Sequence, residues 1–248
     1  MPMRVRNAII MTEKIRTSAM RFAGIGREEH GMKIKAVIWD LDGTLLDTLC
    51  DLAASTNAAL KMNGMPERTI DEVRRFVGNG IRKLMVRAVP DGDENPQFEK
   101  TFQDFIDHYG AHSRDHTRPY DGILELLDNL AAKDVKHAIV SNKIDFAVKE
   151  LNQIYFGSRI GIAVGDDPSR ARKPAPDSVL EAMRQLGVTA EETVYVGDSD
   201  VDVMTAHNAG IPCFAVSWGF RPVSCLEEAG ADQIAHTPNQ LQEMIEKA

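Results

Sequence analysis

Lys33-Ile34-Lys35-Ala36-Val37-Ile38-Trp39-Asp40-Leu41-Asp42-Gly43-Thr44-Leu45-Leu46-Asp47-Thr48 is the stretch that decides the fold. The apolar run from Ile34 to Trp39, entered from Lys33 and closed by an Asp-Gly turn, reads as a buried strand of a parallel sheet. Asp40 then stands at the carboxyl end of that strand, where open α/β sheets place their ligands. Two acids one residue apart in a tight turn can divide the work, one facing the crevice as a nucleophile and the other lying to the side as acid or base. Taken alone, Asp-x-Asp-Gly is equally an ordinary surface turn. A calcium loop fits poorly, because Gly43 comes two residues too early and no glutamate holds the twelfth place.

From Asp47 the pattern turns helical, with Leu49, Leu52, Ala53, Thr56, Ala59 and Leu60 on one side and a stop at Asn63-Gly64 with Pro66 beyond. Helical segments follow over about 70–77, 80–89 and 98–113, with no convincing strand between them. After Pro119-Tyr120-Asp121-Gly122 the chain alternates helix and strand in the βαβ manner. Strands are expected over 135–140, 160–164, 193–196, 213–216 and 233–235, and helices over 123–132, 145–153, 176–186, 201–209 and 239–247. The expected architecture is therefore α/β, a Rossmann-like parallel-sheet core of residues 33–48 and 116–248 with an inserted α-helical segment over 49–115.

With 248 residues and 43% hydrophobic content the chain can bury a full core and carry such an insertion. A formal charge of -8 gives no global attraction for nucleic acid or anionic lipid, so neither partner is expected and an anionic ligand must be held locally. Cys50, Cys213 and Cys225, an odd set without metal-type spacing, point to a reducing compartment and hence to a cytoplasmic protein. No apolar stretch reaches the roughly 18 residues of a membrane-crossing helix. Residues 1–32 are basic and acid-poor, and Met32 opens directly onto the first strand; they are expected to be a poorly ordered N-terminal extension without a catalytic role.

Each strand of the series is followed by polar residues. The first ends in Asp40 and Asp42, the second in Ser141-Asn142-Lys143, the third is followed by Arg172-Lys173-Pro174, and the fourth ends in Gly197-Asp198-Ser199-Asp200-Val201-Asp202. Parallel strands point their carboxyl ends one way, so these clusters converge on one edge of the sheet. Their chemistry suits phosphoryl transfer: a phosphate dianion repels a carboxylate nucleophile, so a divalent cation and fixed positive donors must bring them together. Asp40 and Asp198, with a carbonyl from Asp42, form an oxygen-only set with room for the waters Mg²⁺ retains. Lys173 supplies a point charge to phosphate and to Asp40, while Ser141 and the amides around Leu41 and Asp42 hold phosphoryl oxygens. Asp40 is then the nucleophile that forms an aspartyl-phosphate, and Asp42 the acid and base.

In this order the four clusters resemble the motifs of the haloacid dehalogenase-like hydrolases over residues 33 to about 245, and the helical insertion resembles the α-helical cap of their first cap class. Val77-Gly78-Asn79-Gly80-Ile81-Arg82-Lys83-Leu84-Met85 and Ser217-Trp218-Gly219-Phe220 look like the phosphoglycolate phosphatase branch. The resemblance implies Asp40, Asp42, Lys173 and Ser141 as catalytic residues, Asp40, Asp42 and Asp198 around Mg²⁺, and Asp202 and Ser199 behind them. It implies a small phosphorylated metabolite as substrate, 2-phosphoglycolate first, with pyrophosphate, a nucleotide or a sugar phosphate as alternatives and a non-catalytic phospholigand binder as the contrasting class. Thr44, Asn142, Asn79, Gly80 and Arg82 are the substrate-contact candidates, although Arg82, Lys83 and Arg87 are also what the wet face of a helix looks like. His108, His112 and His116 recur every fourth residue, as zinc ligands do, but without a glutamate partner they read as a polar surface. A monomer or homodimer is expected.

Overall fold

The protein is described by a computed structural model covering residues 34–248; the expected extension over 1–32 falls outside the described residues, which begin within the stretch entering the first strand. β1 (Ala36–Trp39) and the short β2 (Leu46–Asp47) lead into α1 (Leu49–Met62), α2 (Ile70–Phe76), α3 (Ile81–Ala88) and α4 (Phe98–His112). The short β3 (Arg118–Pro119) brings the chain back. It continues through α5 (Ile123–Ala131), β4 (Lys136–Ile144), α6 (Asp145–Tyr155), β5 (Ile162–Asp166), α7 (Asp177–Leu186), β6 (Thr193–Gly197), α8 (Asp200–Asn208), β7 (Cys213–Val216), α9 (Val223–Glu228), β8 (Gln233–Ala235) and α10 (Pro238–Lys247).

Six strands form one parallel sheet in the order β5-β4-β1-β6-β7-β8. β1 pairs with β4 on one side and β6 on the other, with Trp39 opposite both Ile139 and Val196. The strand order reverses there, so Asp40 emerges at the switch point where such sheets open a crevice. All four residues of β1 are buried, as a strand covered on both faces requires. The two-residue alternation divides its side chains between two layers. Val37 and Trp39 belong with Leu127, Val148 and Ile245, whereas Ile38 belongs with Val179, Ala182, Val203 and Ala206.

Helices fill the stretch between β2 and β3, and Leu52, Leu60, Val73, Leu84, Met85, Phe98 and Phe105 give them a core of their own, which Phe220 joins from the sheet side. Each such side chain contributes about 1.5–3 kcal/mol on full burial. β2 and β3 pair antiparallel at the point where the insertion leaves and rejoins, Leu46 opposite Pro119 and Asp47 opposite Arg118. Asp51 braces the same junction: its buried carboxylate accepts from the main-chain N–H groups of His116 and Thr117 and from the Thr117 hydroxyl.

Three features depart from the sequence reading. β4 does not stop at Val140 but runs to Ile144, with a register shift between Val140 and Ile144, so Ser141-Asn142-Lys143 lies within an irregular strand. β5 begins at Ile162 rather than Ile160, because a 3₁₀ turn over Gly157–Arg159 precedes it. The β2–β3 ladder and α9 were not expected, since two-residue strands and a six-residue helix are too short to show a period.

Candidate active site

Asp40, leaving β1 at the switch point, accepts a hydrogen bond from Lys173 Nζ at 2.9 Å. The same ammonium donates to Asp202 Oδ1 at 2.7 Å and to the Tyr195 hydroxyl at 2.9 Å, so its three donors are all engaged. Asp202 is saturated as well, because its Oδ2 accepts from the hydroxyl and the N–H of Ser199 at the start of α8. Burial works against charge on Lys173, but Asp202 and Asp40 outweigh it and hold the ammonium well above its ordinary value. Asn142 fixes the lysine's own backbone: its amide accepts from the Lys173 N–H at 3.0 Å and donates to the Lys173 carbonyl at 3.1 Å.

Asp198 follows β6 and lies beside this group. It accepts from the Thr44 hydroxyl at 3.0 Å and from the Phe220 N–H at 2.7 Å. Gly43, at φ +90°, passes so close that a Cβ there would stand 2.5 Å from Asp198 Oδ2. Oxygens of Asp40, Asp198 and Asp202 lie within 4.8 Å of one another. Burial, then repulsion from Asp202, pushes Asp40 up to about 7 against the pull of Lys173. Burial, then Asp202 and Asp40, pushes Asp198 up to about 8. Crowded carboxylates that resist ionising together, with oxygen as the sole donor type, suit a hard divalent cation. Since Asp202 is taken up by Lys173, Tyr195 and Ser199, Asp40 and Asp198 are the carboxylates free to hold one.

Asp42 takes a different direction. Its carboxylate accepts from Lys143 Nζ at 3.0 and 3.2 Å, and Lys143 also donates to the Tyr109 hydroxyl at 2.8 Å. A residue of the helical insertion thus meets the second acid of the turn through one lysine, whose side chain is only 7% exposed. The Asp42 carboxylate is thus directed to Lys143, which leaves the main-chain carbonyl, the oxygen expected to face a metal, as its available one.

A cavity of about 550 Å³ opens over these groups, reaching from Asp40, Asp42, Ser141 and Asp198 to the insertion. The substrate-contact candidates Asn79, Gly80 and Arg82 line it, but Arg82 is already paired with Glu99 and lies over the Phe98 and Phe102 rings. Two further candidates are committed elsewhere: Thr44 is turned to Asp198, and both ends of the Asn142 amide are spent on Lys173. The His108 and His112 rings lie 4.4 Å apart, but the three histidines converge on no common point; His108 meets Ser55, His112 meets Asp115 and His116 meets Asp51. Sequence reasoning missed Tyr195, Tyr109 and the partnership of Lys143 with Asp42. The only signal for Tyr195 is a hydroxyl in the otherwise apolar Val194-Tyr195-Val196, and nothing in the spacing links Tyr109 to Lys143.

The haloacid dehalogenase-like hydrolase family model matches residues 37–216. An N-acetylmuramic acid 6-phosphate phosphatase of Pseudomonas aeruginosa is 33% identical, over 88% of this chain and 97% of its own length. A phosphoglycolate phosphatase of Chromobacterium violaceum is 33% identical, over 86% and 96%. Among solved structures, a candidate phosphoglycolate phosphatase from Lactobacillus delbrueckii subsp. bulgaricus superposes with a TM-score of 0.83 at 34% identity, covering 87% of this chain and all of its own. With both the four clusters and the sheet order in agreement, the chain belongs to the haloacid dehalogenase-like hydrolases, in the phosphoglycolate phosphatase-like branch.

Proposed function

We propose that this phosphatase hydrolyses a small phosphomonoester with Mg²⁺ through an aspartyl-phosphate on Asp40, residues 49–115 acting as a cap over a catalytic core of 33–48 and 116–248. The observation that carries the reading is Asp40 held at 2.9 Å by a buried lysine and flanked by Asp198. Asp40 and Asp198, with the Asp42 carbonyl, would hold Mg²⁺, whose charge offsets the repulsion between phosphate and carboxylate. Ser141 binds phosphoryl oxygens, and Lys173, whose three donors are already engaged, offers the phosphate its positive charge and keeps the Asp40 carboxylate aimed. Asp40 attacks phosphorus as the bond to the alcohol oxygen breaks; Asp42 gives that oxygen a proton and later takes one from the water that cleaves the acyl phosphate. Tyr195, Ser199 and Asn142 act through Lys173 and Asp202, fixing where the ammonium stands.

2-Phosphoglycolate, which the sequence resemblance implies, and N-acetylmuramic acid 6-phosphate, named in a relative, are the first esters to test. Phosphate release is measured over a panel of small phosphate esters with Mg²⁺ and with chelator. Metal-dependent release is expected. No release, together with no thermal stabilisation by Mg²⁺ and beryllium fluoride, would sink the enzymatic reading in favour of a phospholigand binder.

A further inference from the structure

A lysine ammonium has three N–H donors, and on Lys143 all of them are engaged. Two meet the Asp42 carboxylate, at 3.0 and 3.2 Å from its two oxygens, and the third meets the Tyr109 hydroxyl at 2.8 Å. Lys143 stands in the part of β4 where the register shifts between Val140 and Ile144, a place where a strand can re-aim a side chain. Its four-carbon stem is flexible, so the ammonium goes where its partners hold it. Both Asp42 oxygens are bound by that one ammonium, and the direction of the carboxylate follows it.

Tyr109 is the rigid member of the three. It belongs to α4 of the insertion, is 8% exposed, and stacks on Phe105 with 5.4 Å between ring centroids and 12° between planes, inside the insertion's own core. A tyrosine side chain turns about only two bonds, so packing of the ring fixes the hydroxyl. Burial pushes that hydroxyl up against the pull of the neighbouring ammonium. The ring therefore stays a neutral phenol, which accepts from Lys143 without competing with Asp42 for its charge. The ammonium also lies 5.1 Å from the centroid of the ring, within cation–π reach.

We infer that Tyr109 is a positioning residue for proton transfer: its hydroxyl, through Lys143, sets where the Asp42 carboxylate stands, so the insertion takes part in the chemical step. This rests on the phosphatase reading, with Asp42 as acid and base, and adds to it a group 67 residues along the chain from that acid.

The test uses leaving groups of differing need. Phenol leaves as a strong base and requires a proton, whereas p-nitrophenol requires little help. Initial-rate kcat/KM covers the steps up to release of the alcohol, so later hydrolysis of the acyl phosphate does not enter. It is compared for phenyl phosphate and p-nitrophenyl phosphate in the natural protein, Tyr109→Phe, Lys143→Met and the double variant. Tyr109→Phe keeps the stacked ring and removes only the hydroxyl. It should lower kcat/KM on phenyl phosphate by about fivefold, a part of the roughly hundredfold or more that a general acid supplies, and distinctly less on p-nitrophenyl phosphate. The double variant should be no slower on phenyl phosphate than Lys143→Met, because the hydroxyl acts through the ammonium. Equal losses on the two esters, no loss on phenyl phosphate, or losses that multiply in the double variant would overturn the inference, while turnover of p-nitrophenyl phosphate by the natural protein keeps the phosphatase reading. No turnover of either ester by the natural protein would overturn both.

Discussion

Raising the pH from 6.5 to 8.5 in chelator should destabilise the protein, and Mg²⁺ should reverse the loss. Asp40 and Asp198 are held near 7 and 8, above the 3.8 of an unburied aspartate. The folded state therefore keeps protons that the unfolded chain has released. That contribution is complete below pH 3.8 and is lost as pH rises through the folded values. Each retained proton costs about 1.4 kcal/mol of stability per pH unit until its group ionises. Between pH 6.5 and 8.5 the two carboxylates together give up roughly 2–3 kcal/mol. At roughly 2–4 °C per kcal/mol for a chain of this size, the fall in Tm is about 5–10 °C. His137, buried and pushed down to about 4, loses its contribution as pH falls through its ordinary 6.5, so it opposes the trend only slightly, at the lower edge of this window. The assay is differential scanning calorimetry across the range, with and without Mg²⁺, on the natural chain and on Asp198→Asn. Mg²⁺ should raise Tm more at pH 8.5 than at 6.5, and Asp198→Asn should flatten both dependences. A Tm that is level or rising without metal, or a fall unchanged in Asp198→Asn, would refute the reasoning.

Three substitutions probe the groups around the cluster. Asp51→Ala strips the acceptor from the N–H groups of His116 and Thr117 where the insertion rejoins, and should cost about 2–4 kcal/mol in urea unfolding; a loss below about 1 kcal/mol would contradict the brace. Gly43→Ala forces a Cβ against Asp198 at a positive φ and should lower kcat by about a hundredfold while weakening stabilisation by Mg²⁺; normal turnover would show that the loop can yield. Lys143→Met frees the Asp42 carboxylate and should lower kcat by about tenfold or more on alkyl phosphates, whose leaving oxygen needs a proton, and less on p-nitrophenyl phosphate. Equal losses on the two would mean that Lys143 does not position the acid.

The parts of this molecule that repeat or punctuate were legible in its residues. Ile34 to Trp39 reads as a buried strand because both faces of β1 are covered, and Asp-x-Asp-Gly marks its end because a turn must follow. The order of the four polar clusters implies their convergence, since parallel strands share a direction. What was hidden depends on contacts between distant segments. Tyr195 looks like any strand aromatic until Lys173, 22 residues away, is seen to reach its hydroxyl. Asn142 looks like a ligand for substrate until both ends of its amide are found on the lysine's backbone. Arg82 has the composition of a phosphate or carboxylate binder, yet Glu99, 17 residues on, already occupies it. The extension of β4 through Ser141-Asn142-Lys143 was missed because polar residues in an irregular strand give no alternation to follow.

Covalent phosphorylation of Asp40 can be trapped by rapid acid quench during turnover followed by peptide mass spectrometry. With an ester that is hydrolysed in Mg²⁺, the peptide containing Asp40 should gain one phosphoryl group within the first turnover, and Asp40→Asn should show neither the adduct nor phosphate release. Turnover that proceeds with no adduct on that peptide, or Asp40→Asn protein that still releases phosphate, would contradict the account.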